Sequence, residues 1–295
     1  MISLVLIQYE FTLVSSSILT ILSFIGNSLV IYILTRTEFR NIALFRFLTA
    51  SAVFDIIATM FVWMIIFQET FGINKTDLNC QIFIYFSDVT LTTSIWIVAY
   101  TGIDRVMSVK FPKKYLFRNK FTFQIFIVSI IFFGKLLVNI KNFYTNGLVL
   151  ISQTNKTVCT RTNYELNVYS DLIGFIYNQL VPTLVTTITI IATFYYLSVL
   201  KKKLKKEQKK ERQFLTAFLS ISLFYIITQV PFYIYIIYCD FSNTNATQSL
   251  FFNILLFLTN IYGTFGCLVL YFSNSLFRKH FKTLICLEKK KSDVK

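Results

Sequence analysis

Residues 80–112 read CQIFIYFSDVTLTTSIWIVAYTGIDRVMSVKFP, and this stretch decides the fold. A cysteine, Cys80, opens it, and an acid–base pair, Asp104-Arg105, stands near its far end. As a helix, the path from Cys80 to Arg105 is roughly 37 Å long, enough to cross a ~30 Å hydrocarbon layer. Between those ends lies a single charge, Asp88. The stretch predicts a membrane helix with a thiol at one water interface and a charge pair at the other.

Working outward, the rest of the chain carries the same signature. Of 295 residues, 55% are hydrophobic and only 15% charged, with a mean hydropathy of +0.61. Soluble domains carry about 25% charged residues. Charges divide the sequence into seven long apolar runs, at 11–34, 47–67, 81–103, 121–140, 172–200, 214–239 and 249–272. Each is long enough for a span. The loops between them are short and hold no repeat or low-complexity tract. Residues 1–295 therefore read as one domain: an all-α membrane protein, a seven-transmembrane-helix bundle with a cytoplasmic tail over 273–295.

The net charge of +15 raises the question of nucleic acid, and its placement answers it. If the first run exits into the cytoplasm, 24 of the 29 Lys and Arg lie on the inner side. They are Arg36, Arg40 and Arg46, the cations from Arg105 to Lys120, those within 201–212, and those from Arg278 onward. Lys75, Lys141, Lys156 and Arg161 lie outside, and Lys135 lies within the fourth run. This is the positive-inside asymmetry. It places the N-terminus outside and the C-terminus inside, and it sets the basic charge against anionic lipid. No nucleic-acid partner is expected. No separate signal peptide is visible, because nothing basic precedes Arg36, and the first helix is expected to be its own insertion signal.

With that topology, the quoted stretch resembles the third helix of the rhodopsin-like (class A) G-protein-coupled receptors. The family's Asp-Arg-Tyr triplet stands as Asp104-Arg105-Val106, and Pro112 follows as in the family. The likeness covers nearly the whole chain, as a divergent member of the invertebrate peptide-receptor type. It implies a disulfide from Cys80 to Cys159 in the second outer loop, pinning that loop over the pocket mouth. It places Asn27 and Asp55 on marker positions of helices one and two, near Ser94, where the family often binds a sodium ion. A neutral Asp55 bonded to Asn27 for packing alone is the other reading. At the corresponding polar positions of helices six and seven stand Gln229 and Gly266, and glycine offers no ligand.

The resemblance also implies a packing cluster of Ile95, Pro182 and Tyr225 beneath the pocket, with Pro231 bending helix six. Glu211 stands where some members tie helix six to the Arg of helix three; a surface pair within the basic run is the alternative. Past helix seven, Phe277-Arg278-Lys279-His280-Phe281 resembles the short amphipathic eighth helix, with Cys286 as a lipidation candidate or a free cytosolic thiol. Cys239 and Cys267 read as buried thiols. Three sequons, at Asn74, Asn155 and Asn245, all fall on the outer side as glycosylation candidates.

Several departures stand beside these matches. Helix four lacks the family tryptophan and proline and carries Lys135, at a depth similar to that of Asp88. A salt bridge between them is the expected arrangement, since pairing is the least costly way to bury two charges; contact of either with a charged ligand is the alternative. The family's Trp before Pro231 is replaced by Gln229, the helix-five tyrosine by Ile190, and Asn-Pro-x-x-Tyr by Gly266-Cys267-Leu268-Val269-Leu270 with Tyr271 adjacent.

An enzyme would need catalytic groups, and the only histidine, His280, lies on the cytoplasmic side, with no phosphate loop or nucleophile elbow. A transporter or channel would use intramembrane charges and paired broken helices; only Asp55, Asp88 and Lys135 are charged within the spans, and no inverted repeat is visible. The resemblance implies a multi-pass plasma-membrane receptor whose partners are an extracellular ligand, a heterotrimeric G protein and the bilayer. No lysine lies in helix seven for retinal, and Ser87 occupies the position of the amine receptors' aspartate. The leading expectation is a neuropeptide, then a chemosensory small molecule, with Ser87, Asp88, Lys135 and Gln229 as pocket candidates.

Overall fold

The computed structural model describes residues 2–36, 38–72, 75–111, 120–151, 156–162, 172–200, 208–242 and 250–284. Pro112, the sequon residues Asn74, Asn155 and Asn245, and Cys286 lie outside the described residues.

Seven long helices follow the apolar runs: α1 (Ile2–Arg36), α2 (Ala43–Phe71), α3 (Asp77–Lys110), α4 (Phe121–Val138), α5 (172–200), α6 (Gln208–Phe241) and α7 (Leu250–Ser273). Six hold segments long and apolar enough to cross a membrane. The seventh, α7, has 24 residues, a length of ~36 Å. Most helices outrun their apolar stretches, because a helix whose backbone bonds are internal can continue into the polar interface at little cost. The eighth, α8 (Ser275–Leu284), is the short amphipathic helix expected after the last span.

The ends of the helices follow from local chemistry. Gly72 closes α2 at φ 66°, a left-handed conformation that suits glycine, and its N–H donates to Gln68 O at 2.9 Å. Thr76 caps α3, its hydroxyl accepting from Asn79 N. Asn274 opens α8 by accepting from Leu276 N and Phe277 N, each at 3.0 Å. Arg278 donates back to the carbonyls of Tyr271 and Phe272, closing the corner between α7 and α8.

The bundle is built around α3. In the spanning window of α3, 61% of residues are buried, against 11% for α4 at the rim. Without water, the many hydroxyls inside must find partners in the protein. Thr90, Thr92, Thr93, Thr101 and Thr193 do so by donating to carbonyls one turn earlier in their own helices. The apolar core joins Val30 and Ile33 of α1, Leu48 and Ala52 of α2, Ile95 and Val98 of α3, Phe218 and Tyr225 of α6, Tyr262 of α7 and Phe277 of α8. Large side chains such as Phe133, Leu137, Ile188 and Ile191 face outward, where hydrocarbon solvates them.

Beyond α4 the outer connection forms a hairpin that the sequence reading does not contain. Strands β1 (Asn146–Ile151) and β2 (Lys156–Arg161) pair antiparallel, with Leu148 opposite Cys159.

Candidate functional site

At the outer end, the hairpin is fastened to the start of α3. Cys80 and Cys159 form the expected disulfide, with Cα atoms 5.6 Å apart. Asp77 accepts from Leu148 N at 2.7 Å, Gln81 donates to Asn146 O at 3.2 Å, and Lys75 donates to Thr157 O at 2.6 Å. Both strands are thus held against the mouth of the bundle by bonds the disulfide alone would not supply.

Below the hairpin the expected pocket residues divide into two groups. Ser87 lines a cavity of about 70 Å³ with Leu19, Thr20, Ser23, Asp55, Thr59 and Thr259. Gln229, buried on α6, donates to Thr259 O at 2.9 Å and so closes one side of that neighbourhood. Asp88 and Lys135 lie elsewhere, between α3, α4 and α5. Their expected salt bridge is absent. Lys135 Nζ donates instead to Asn178 Oδ1 at 2.8 Å and to Tyr177 O at 3.4 Å, and stands 4.6 Å from the Trp96 ring centroid. Asp88 Oδ2 accepts from Asn142 Nδ2 at 2.7 Å. The reason is local: Asn139–Lys141 and Asn142–Thr145 carry the chain on as short helical turns above α4. They bring Asn142 to Asp88, while Lys135 lies deeper, within reach of α5.

In the middle of the membrane, Asp55 is buried and Ser94 stands within hydrogen-bonding reach of its carboxyl. Ser94 also bonds Ser51, at 2.7 Å. Asn27 donates to Ser23 Oγ at 3.2 Å and lines the same cavity as Asp55. The other carboxyl oxygen, Asp55 Oδ1, has no hydrogen-bond partner among the described residues. A second cavity of about 40 Å³, water-sized, opens beside it, lined among others by Asn27, Ser51, Asp55, Tyr262 and Gly266. One carboxylate among neutral oxygens fits a single monovalent cation; no cluster of three or more acidic, His or Cys groups is present among the described residues for a divalent one.

Beneath the cavities, Ile95 and Tyr225 share the core cluster, and Pro182 is buried on α5. Pro231 lies within α6. The Tyr225 hydroxyl donates to Gln179 Oε1, a residue of α5 that the sequence reading missed although it is a polar side chain three residues before Pro182. Tyr225 also meets Tyr262 of α7, ring centroids 5.4 Å apart.

At the inner end of α3, Asp104 and Arg105 are both buried and Val106 is half-buried. Glu211 lies near the start of α6, with its side chain outside the described residues. Just above the pair, the three helices converge on Gly102: a Cβ there would stand 2.2 Å from Thr189 Oγ1 on α5 and 2.9 Å from Phe218 Cζ on α6.

Residues 26–269 match the profile of the 7 transmembrane receptor (rhodopsin family). The chain belongs to this family. No curated protein sequence matches it at a significant level. Membership makes it a multi-pass signalling receptor of the plasma membrane, with an extracellular ligand, a G protein and the bilayer as its partners. Within the receptor, the family markers that are missing have structural successors. Tyr271 turns toward α8, with Phe281 at 5.1 Å and the Arg278 guanidinium 5.7 Å from its ring centroid. Ile190 packs against the apolar core as a half-buried side chain.

Proposed function

We propose that this receptor converts the binding of an extracellular peptide into activation of a heterotrimeric G protein by an outward swing of the inner end of α6. The observation that carries the reading is the buried Asp104-Arg105 pair at the foot of α3, beside a three-helix contact at Gly102 that holds α5 and α6 close. A change in that contact uncovers Arg105 for a G-protein helix, and the ligand acts by binding one of the two packings better. Glu211, on the first turns of α6, is the proposed partner that keeps Arg105 engaged at rest.

A peptide is supported by the outer surface. The hairpin offers a fixed two-stranded platform, while the cavity beneath Ser87, at about 70 Å³, accommodates one side chain rather than a whole ligand. A peptide that lies on the hairpin and inserts a single polar group uses both. Bound beside Asp55, a monovalent cation would supply a counter-charge; Asp55, Ser51, Ser94 and Asn27 would hold it. A peptide library screened against the receptor, read by direct G-protein recruitment, tests the reading. Recruitment by a peptide supports it; recruitment by small organic odorants and by no peptide would replace the ligand class.

A further inference from the structure

Helix α5 changes its winding at Ile176–Leu180, which is π-helical, before continuing as Val181–Leu200. A π turn inserts one extra residue, and such turns are concentrated at functional sites. Here the turn is gripped by α3 and α4 on one side and meets α6 on another. The Tyr177 carbonyl accepts from Trp96 Nε1 on α3 at 2.9 Å and from Lys135 Nζ on α4 at 3.4 Å. Asn178 accepts from Lys135 and donates to Asn139 Oδ1 at 3.4 Å, and Asn139 donates to Thr92 of α3 at 3.3 Å. The next residue, Gln179, lies about a quarter turn further round and accepts from the Tyr225 hydroxyl of α6. Gln179 is 0% exposed, and its Nε2 has no hydrogen-bond partner among the described residues. A buried donor left unmade is costly, so the resting packing keeps Gln179 at the Tyr225 hydroxyl at a penalty that another packing can relieve.

We propose that the π turn of α5 is a latch on α6: Lys135 and Trp96 set its geometry from the side of α3 and α4, and the Gln179–Tyr225 bond closes it. The latch rests on the receptor reading above and names Lys135, Trp96, Asn178 and Gln179 as positioning residues for the α6 swing. Lys135 then has its place without a carboxylate. Its ammonium is shared between an amide, a carbonyl and an aromatic face, an arrangement that fixes a backbone turn rather than neutralising a charge. Rewinding the turn to α geometry would rotate the residues on its two sides by ~100° relative to one another. Asn178 and Gln179 could not then both keep their partners.

The test measures the α6 position directly. Spin labels on Thr122→Cys at the inner end of α4 and Thr216→Cys on α6, both exposed sites, report the distance distribution of the full receptor in lipid nanodiscs. Tyr225→Phe and Lys135→Met are each expected to enlarge the long-distance population about two- to tenfold, the size of one net hydrogen bond. Their combination should do no more than the larger single change, since both open one latch. Trp96→Phe removes a single donor at a half-exposed site and gives a second arm if Lys135→Met fails to fold. Lys135→Arg should restore the wild-type distribution. A purely structural role predicts a lower melting temperature with an unchanged distribution. Additive effects, or a wild-type distribution in Lys135→Met and Trp96→Phe alongside a shifted Tyr225→Phe, overturn the latch. Nucleotide-free G protein added to the wild type separates the two claims: if it lengthens the distance while no variant does, the latch alone falls. If it too leaves the distance unchanged, the α6 swing falls with the latch.

Discussion

Gly102→Ala is a one-carbon perturbation whose outcome depends on the switch itself. The new methyl carbon would stand 2.2 Å from Thr189 Oγ1, 3.1 Å from Thr189 Cβ and 2.9 Å from Phe218 Cζ. Ordinary contacts begin at ~3.5 Å, so both neighbours must give way. Thr189 can turn about χ1 at the loss of its 2.9 Å bond to Thr186 O, about 0.5–1.5 kcal/mol. Phe218 is fully buried and has no such freedom; its strain is relieved when α6 moves away from α3. Overpacking costs about 1–3 kcal/mol in total. If 1–2 kcal/mol of that falls on Phe218, the resting state loses this much relative to the swung-out state. At about 1.4 kcal/mol per tenfold, the active population rises about 5- to 30-fold. The assay is ligand-free nucleotide exchange on a co-reconstituted G protein, normalised to receptor surface density. Phe218→Leu in the same chain should return basal activity toward wild type, whereas Thr189→Ala should restore thermal stability and leave basal activity high. Unchanged basal exchange in Gly102→Ala, accompanied only by a lower melting temperature, would refute the reasoning that this contact distinguishes the two states.

Further outcomes follow from the same geometry. Glu211→Ala is expected to raise basal signalling at least about twofold, the loss of one charge-assisted contact to Arg105; Arg105→Ala should abolish G-protein recruitment with normal surface display. Equal basal signalling in the first, or intact recruitment in the second, removes the assigned role. Cys80→Ser should cost about 2–5 kcal/mol of stability and reduce surface display or ligand binding, with Cys159→Ser matching it and the double change adding nothing; full display and binding of the single variants would count against the disulfide as a structural requirement. For the proposed cation site at Asp55, replacing sodium by a bulky organic cation should raise basal signalling in the wild type and leave Asp55→Asn unaffected. Identical sodium responses in the two proteins would exclude that site.

The bundle was legible because membrane helices leave a strong trace: apolar runs of spanning length, and cations gathered on one side. Asp104-Arg105 and Cys80 could be placed because spacing along one helix is fixed by its rise. What spacing along one helix does not convey is which neighbour a side chain meets. Lys135 and Asp88 lie at similar depths, yet depth says nothing of azimuth. The short turns Asn139–Lys141 and Asn142–Thr145 bring an asparagine to Asp88, and the π turn brings Asn178 to Lys135. A π turn has no composition of its own, so a register change in α5 leaves no mark in hydropathy. Gln179 did leave one, as an amide in an apolar span. The hairpin was missed for a different reason: two six-residue strands beside a disulfide read as ordinary loop.

The departures from the family pattern are physically connected. A receptor that keeps a tyrosine at the inner end of α7 can use it to hold α6 from that side; here Tyr271 is taken by α8, through Phe281 and Arg278. The contacts that hold α6 lie further out. Gln229 reaches the Thr259 carbonyl of α7, and Tyr225 is placed between Gln179 of α5 and the ring of Tyr262. Tyr225 and Gln229 are four residues apart, on one face of α6, and Pro231 follows within a turn. Removing a backbone bond at a proline lowers the cost of bending at that level, and polar contacts immediately inward of it are the ones a bend disturbs first. Such bonds have defined geometry and no alternative in water, so they favour discrete packings over a continuum. With an amide in place of the bulky tryptophan, α6 keeps Pro231 and is tied to its neighbours by hydrogen bonds, from Gln229 to α7 and from Tyr225 to α5, beside the one ring contact with Tyr262.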